Sequence, residues 1–336
     1  MNILVTGGLG YLGSHAVVEL IKQNYGVVIL DNLSNSHKKN LKQIEKIVRK
    51  KIKFYEADIR NKNELDKIFK DNKISGIMHF AGLKSVKKSN FKKKEYFDVN
   101  VNGTRNLINL LNEISNEKKF FIFSSSACVY GNPDYLPYDE SHSLCPENYY
   151  GQTKLESEQI LEETSKNYKD WKIVVLRYFN PIGSHHSFLI GDSPLGKPEN
   201  LMPNILNSVN SNKTNLKIYG SEHDTPDGTP VRDFIHVEDL INGHVVALNF
   251  LKKSKKDIYE IFNLGTGKGL SVLQLIKSFE DTNNVKISFK FAEKRKGDLP
   301  IYFSSSEKIT KNLGWKPKFS VEDMCKSSWE FHKNSK

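Results

Sequence analysis

The feature that most constrains this chain is a short apolar strand ending in three evenly spaced glycines. Ile3-Leu4-Val5 reads as a buried strand, and Thr6-Gly7-Gly8-Leu9-Gly10-Tyr11-Leu12-Gly13-Ser14 follows it directly. Gly7, Gly10 and Gly13 open a helix whose apolar residues Ala16, Val17, Leu20 and Ile21 recur at helical spacing. A tight turn, a close backbone approach to a pyrophosphate and close helix–strand packing each ask for a glycine. The helix start, with Tyr11 and Leu12 in its first turn, then offers backbone N–H groups and a positive dipole end to phosphates. A second strand, Val27 to Leu30, runs into Asp31, with Asn32 beside it. A carboxylate there binds adenosine ribose hydroxyls and repels a 2′-phosphate, which favours NAD over NADP. Asp58 and Ile59, after the next strand, are candidates for the adenine.

The same rhythm continues. Phe54 to Ala57, Gly76 to Phe80, Phe120 to Phe123, Ile173 to Leu176 and Tyr259 to Leu264 read as strands. Helical patterns separate them around 40–50, 62–71, 100–115, 152–166 and 237–251. Alternation of this kind predicts an α/β fold, a doubly wound parallel sheet of Rossmann type. After Asn180-Pro181 the chain turns rich in Gly, Pro, Asn and Asp. This predicts a dinucleotide domain at 1–180 plus about 236–264, and a smaller mixed α/β substrate lobe at about 181–235 plus 265–336.

Composition narrows the class. The chain has 336 residues, 38% hydrophobic and 26% charged, as in a globular protein. Its net charge of +11 comes mainly from short lysine runs without interleaved aromatics, so a solvated surface is expected rather than a nucleic-acid interface. Three cysteines (Cys128, Cys145, Cys325) without a C-x-x-C argue against a disulfide framework or zinc site. His185-His186 read as a loop pair without a partner at metal-ligand spacing, and no metal is expected. His15, His79 and His236 read as packing or capping groups. Met1 runs straight into a strand, and no apolar run reaches ~18 residues. A cytoplasmic protein is therefore expected.

The catalytic candidates stand on one predicted helix. Tyr150 and Lys154 form a Y-x-x-x-K, and residues four apart share a helix face. A nearby ammonium is expected to lower the phenol pKa, as a base for an alcohol proton requires. Ser124-Ser125-Ser126 follows an upstream strand, so a hydroxyl there is placed to bridge the phenol oxygen and a substrate hydroxyl.

These features resemble the extended short-chain dehydrogenase/reductase family. The likeness extends through LVTGGLGYLGSH (4–15), LDNLSNS (30–36), HFAGLKSV (79–86), VNGT (101–104), FSSSACVYG (123–131), YYGQTKLESE (149–158), LRYFNPIG (176–183), NLMP (200–203), DGTPVRDFIHVEDL (227–240), NLGTGKG (263–269) and RKGDLPIYF (295–303). They are similar to the branch that interconverts UDP-galactose and UDP-glucose by transient C4 oxidation with bound NAD, rotation of a 4-keto sugar and hydride return. The resemblance implies that Lys84, Phe80, Ala81, Asn100 and Tyr178 line the cofactor, with Lys84 also near the substrate. It implies that Asn180, Asn200 and Leu201 contact the diphosphate, and that Lys217 and Tyr219 flank uracil. Arg232 and Arg295 would bind the diphosphate, Asp298 the uridine ribose, and a bulky Tyr302 would limit the pocket to unsubstituted hexoses. A homodimer through helices near 100–115 and 152–166 is also implied, with Leu155, Ile160 and Leu161 as a stripe. Departures are Cys128, where the family often has Thr and where packing is expected, Phe303 for Trp, and Glu293-Lys294 for Pro-Arg.

Alternatives separate on single features. A sugar-nucleotide dehydratase would carry an acidic pair where Ala127-Cys128 stands. A non-catalytic NAD sensor would be expected to lack Tyr150 or Lys154. A UDP-N-acetylhexosamine epimerase or a UDP-glucuronate decarboxylase shares the fold and stays open.

Overall fold

The computed structural model describes residues 1–114, 117–209, 216–295 and 298–335. Position 115 of the expected helix 100–115, positions 210–215 and 336 of the expected second lobe, and Lys296-Gly297 of the RKGDLPIYF string lie outside the described residues.

The first half follows the expected alternation. It runs β1 (Asn2–Thr6), α1 (Tyr11–Lys22), β2 (Gly26–Asp31), α2 (Lys39–Val48), β3 (Lys53–Glu56), α3 (Lys62–Asn72) and β4 (Ile74–His79). Two single-turn helices, α4 (Val86–Ser89) and α5 (Lys93–Tyr96), lead into a π-helical turn at Phe97–Asn102. Then come α6 (Gly103–Ile114), β5 (Lys119–Ser126), α7 (Tyr149–Asn167) and β6 (Trp171–Tyr178). The second half adds β7 (Asn180–Ile182), α8 (Leu201–Ser208), β8 (Leu216–Tyr219), β9 (Val231–His236), α9 (Val237–Lys253) and β10 (Ile258–Leu264). It ends with β11 (Gly269–Ser271), α10 (Val272–Asn283), β12 (Phe289–Ala292), β13 (Ile301–Tyr302), α11 (Glu307–Leu313) and α12 (Val321–Ser335). Among the described residues no helix is long and apolar enough to cross a membrane.

A seven-stranded sheet has the order β10-β6-β5-β4-β1-β2-β3. The expected doubly wound α/β sheet is thus present, and each expected strand is a member of it. β1 pairs in parallel with β2 on one side and β4 on the other, so the chain reverses direction across the sheet there. Ligands of open α/β sheets bind outside the strand carboxyl ends at such a reversal. All eight residues of β5 are buried, as a parallel strand covered on both faces requires.

The helix expected to start near 100 differs at its beginning. Thr104 Oγ1 and Ser157 Oγ both donate to the Asn100 carbonyl, at 2.6 and 3.2 Å. They occupy an acceptor that a regular turn would use, and the ladder widens there into the π turn. α7 starts earlier than expected because Asn148 caps it, its side chain accepting from Gly151 N at 2.9 Å.

The chain divides into two compact units. Unit 1 is Met1–Gly131, Ser143–Tyr178 and Ile241–Phe262, and unit 2 is Asn132–His142, Phe179–Leu240 and Asn263–Lys336. This departs from the expected boundaries at Asn132–His142, which pairs with unit 2: Tyr138 N donates to Phe303 O and Ser305 N to Tyr138 O. In unit 2, β9 pairs with β11, β7 and β13, and the buried Asp233 on it ties two loops together. Its carboxylate accepts from Thr266 N and Oγ1, Gly267 N, and Ser304 N and Oγ.

In unit 1 a buried ion pair anchors α7 to the sheet. Arg177 on β6 donates from Nη2 to Glu158 Oε2 at 2.6 Å, and both side chains are about fully covered. Ser125 Oγ donates to Glu158 Oε1, and Arg177 Nη1 donates to Tyr130 Oη at 3.3 Å. Removing one partner of such a pair leaves the other charged and dry. Arg177→Met is therefore expected to lose about 3–5 kcal/mol of unfolding free energy, read from the urea midpoint. A change within experimental error would show that the pair is not buried in solution.

Candidate active site

The glycine turn after β1 is built as its spacing requires. Gly7 has φ +66°, and a Cβ on Gly13 would lie 2.1 Å from the Gly7 carbonyl oxygen. α1 has Gly10 as its N-cap, which supplies no side-chain cap to the first turn. This arrangement suits an anion. Asp31 is buried, its carboxylate accepting from Leu9 N at 3.0 Å, Leu33 N at 2.9 Å and Ser36 Oγ at 2.7 Å. The turn and the carboxylate are thereby locked together, and the oxygens keep lone pairs for ribose hydroxyls.

The adenine candidates are differently placed. Asp58 accepts from Asn32 Nδ2 at 2.9 Å and from Arg60, whose guanidinium holds the carboxyl down at about 2. The Ile59 side chain is buried in the core against Gly103, which leaves its backbone, not its side chain, available to a ligand.

At the end of β4, Ala81 N donates to Thr6 Oγ1 at 3.3 Å, and Phe80 stacks at 5.0 Å on His244. Asn100 is buried and fully engaged: it accepts from Leu83 N at 2.8 Å and donates to Leu83 O and Thr153 Oγ1, each at 3.0 Å. The amide therefore acts as a brace for the loop that carries Lys84. Lys84 is exposed. His79, read as a packing group, bridges Thr6 Oγ1 at 2.6 Å and Thr104 Oγ1 at 2.9 Å. Burial, with Lys154 adding, pushes its pKa down to about 3, so it is neutral.

Tyr150, Lys154 and Ser126 come together. Tyr150 N donates to Ser89 Oγ at 3.0 Å, and the Ser126 hydroxyl is near enough to the phenol to favour its ionised form. Lys154 is buried, its Nζ donating to Ser124 O at 2.8 Å and lying 5.9 Å from the Tyr150 ring centre. Burial brings the Lys154 pKa down to about 8, against the pull of Glu158.

One expectation is corrected here. Lys154 does not by itself lower the Tyr150 pKa below its ordinary value. Burial raises it well above that value, with Cys128 and Tyr178 adding and Ser126 opposing. The phenol keeps its proton until another positive charge arrives. Tyr178 is likewise raised by burial, with Ser124 opposing.

Unit 2 holds the other candidates. Lys217 and Tyr219 share one face of β8, and the Arg295 guanidinium lies 4.0 Å over the Tyr219 ring. Arg232 donates to Asp298 and to Val231 O. Tyr302 is the register partner of Arg232 on the adjacent strand, and its ring packs 5.0 Å from both Tyr138 and Phe179. Asn200 precedes α8 without capping it through its side chain, donating instead to Asp192 Oδ2 at 3.4 Å; Leu201 begins the helix and packs on the apolar core. Asn180 opens β7, paired with Phe234.

His185-His186 does have a partner, which corrects the sequence reading. Glu238 lies 2.7 Å from His186 Nδ1 and 3.8 Å from His185 Nε2, a grouping with metal-ligand spacing. His185 Nδ1 accepts from Ser187 N at 3.1 Å. Glu238 hydrogen-bonds His186 Nδ1, while His185 Nε2 lies beyond hydrogen-bond distance from it. Sequence reasoning also missed Asn148, Glu158, Arg177 and Asp233, which hold the site without touching it. The short G-T-G run after β10 was the signal for Asp233.

Comparisons with known proteins extend this geometry. Residues 3–265 match the NAD dependent epimerase/dehydratase family. A UDP-glucose 4-epimerase of Dictyostelium discoideum is 44% identical, covering 98% of this chain and 95% of that protein. A Stenotrophomonas maltophila UDP-glucose 4-epimerase structure, with bound NAD and formylated UDP-arabinopyranose, superposes with a TM-score of 0.95 at 41% identity, covering 100% of this chain and 98% of that one. A Bifidobacterium longum UDP-glucose 4-epimerase in complex with NAD+ and UDP gives 0.94 at 39% identity, covering 99% and 98%. The family match spans the large sheet from its first strand to its last, and this chain is a member of the NAD dependent epimerase/dehydratase family.

Proposed function

We propose that this protein is a UDP-glucose 4-epimerase, an isomerase that interconverts UDP-galactose and UDP-glucose with NAD as a bound cofactor. The observation that carries the reading is the Tyr150 phenol set beside the buried Lys154 ammonium, on the helix that follows the Ser126 strand end, in a chain with this glycine turn.

The residues present fit the cofactor. The uncapped start of α1 suits the pyrophosphate through Gly10, Tyr11, Leu12 and Gly13, and Asp31 suits the adenosine ribose. Lys154 and Tyr178 stand where the nicotinamide half would lie, with Lys84 and the Phe80-Ala81 edge beside them. NAD, when bound, takes the C4 hydrogen as hydride and returns it, so the sugar passes through a 4-keto form without net oxidation.

Tyr150 accepts the proton of the sugar 4-hydroxyl and gives it back, with Ser126 holding both oxygens in line. Lys154 orients the phenol and, as a cation, favours the phenolate as far as its own proton is retained. Arg232 and Arg295 hold the diphosphate with planar donors, Asp298 the ribose, and Lys217 and Tyr219 the uracil. Asn180, Asn200 and Leu201 complete the diphosphate contacts. Firm contacts to UDP and few to the hexose let the sugar present either face.

The chain is further proposed to act in the cytoplasm as a homodimer through α6 and α7. Leu155 is half-buried and available to such an interface, whereas Ile160 packs against the core and Leu161, expected in the same stripe, lies within it.

The direct test incubates the protein with UDP-galactose and follows UDP-glucose. Product without NADH accumulation is expected. Tyr150→Phe should lower kcat by about 10²–10⁴-fold, and unchanged turnover would remove Tyr150 as the base. Because the unliganded phenol is held protonated by burial, loading stripped protein with NAD should bring its pKa down by about 1–3 units. Tyrosinate absorbance reads this, with Tyr150→Phe as the blank. A midpoint indifferent to NAD would refute cofactor-driven activation. Tyr302→Ala should raise turnover of UDP-N-acetylglucosamine by about tenfold or more relative to UDP-glucose; no relative gain would take Tyr302 out of the sugar pocket.

A further inference from the structure

We infer that His223 belongs to the nucleotide-diphosphate site and takes up a proton when the anionic sugar nucleotide binds. The inference rests on the substrate reading above and adds to it a residue and a regulation.

His223 stands in the loop after β8 and is only 6% exposed. Among the described residues neither Nδ1 nor Nε2 has a hydrogen-bond partner. Buried polar groups are nearly always paired, so two unpaired nitrogens on one ring call for a missing partner. The ring is nevertheless held in place. His223 N donates to Gly228 O at 3.0 Å, and Thr225 N donates to His223 O at 2.8 Å. Gly220 has φ +83°, and a Cβ there would lie 2.3 Å from His223 Nε2. The glycine leaves room for the imidazole that any other residue would fill.

Three charged groups act on the ring: Lys294 and Asp298 from the segment that follows β12, and Arg232 from β9. Two of them, Arg232 and Asp298, are groups assigned to the substrate above. Asp298 is already paired with Arg232. In the unliganded protein burial, and then Lys294 and Arg232, hold the imidazole neutral, with Asp298 opposing. A sugar nucleotide brings two negative charges to the same cations. Their repulsion on the ring is then offset, and an imidazolium becomes a charge-assisted donor to a phosphate or ribose oxygen. The proton comes from solvent and returns to it on release. Proton affinity is higher in the complex, so binding tightens as pH falls and weakens as pH rises through the pKa of the liganded ring.

The test uses NAD-loaded Tyr150→Phe protein, which binds without turnover. UDP-glucose is the ligand because its diphosphate diester has no group titrating near neutrality. Calorimetric titrations in two buffers of different ionisation enthalpy count protons. Uptake of part of a proton per site is expected near neutral pH, with Kd weakening about tenfold from about pH 6 to about pH 8. Adding His223→Phe should abolish the uptake and flatten the pH profile. Adding His223→Gln, which keeps hydrogen-bonding capacity, should recover part of the affinity but not the pH dependence. Binding without uptake in the parent, or uptake unchanged in the Phe variant, overturns the inference. Failure of UDP-glucose to bind at any pH overturns the substrate reading itself.

Discussion

The arrangement of unit 1 depends on how α7 is fastened to the sheet. Glu158 lies one turn beyond Lys154, buried against Arg177 of β6 and Ser125 of β5. Ser125 sits between Ser124, whose carbonyl receives the Lys154 ammonium, and Ser126, whose hydroxyl meets the phenol. One carboxylate therefore sets the rotation and the depth of the helix relative to the strand that supplies its partners. A buried ion pair is a costly way to add stability, but it tolerates little slippage. Positional accuracy is what a proton transfer needs.

Burial governs the electrostatics of the same site. It works against charge on both Tyr150 and Lys154, so the empty site keeps a neutral phenol and a weakened ammonium. In the function proposed above, the basic form of the tyrosine belongs to the NAD-loaded protein, so that the base is switched on where a hydride acceptor is present. The unpaired ring of His223 follows related logic on the substrate side, since it too has no favourable charged state until an anion is there.

Much of this was legible before any coordinates. Short apolar runs alternating with helical patterns located all seven strands of the large sheet, and the glycine spacing located the turn after β1. The closeness of Tyr150 and Lys154 to the Ser124–Ser126 strand end was legible because the first two are four apart and the serine run ends a strand. What stayed hidden was long-range. Nothing local to Asn132–His142 says that its backbone pairs with Phe303 and Ser305. Nothing local to His186 announces Glu238. The sign of the Tyr150 shift was misjudged because spacing reports who is near, whereas burial depends on the whole fold.

The π-helical turn has a broader consequence. Asn100 is located by Thr104, Ser157, Thr153 and Leu83, not by the length of chain that leads to it. Part of the lysine-rich stretch from Val86 to Tyr96 belongs to the same brace, since Ser89 is buried with its Oγ accepting from Tyr150 N, and Asn90 Oδ1 accepts from Tyr149 N. A change of length there would be passed on to the first turn of α7, whereas the exposed lysines between these contacts can change identity without moving it.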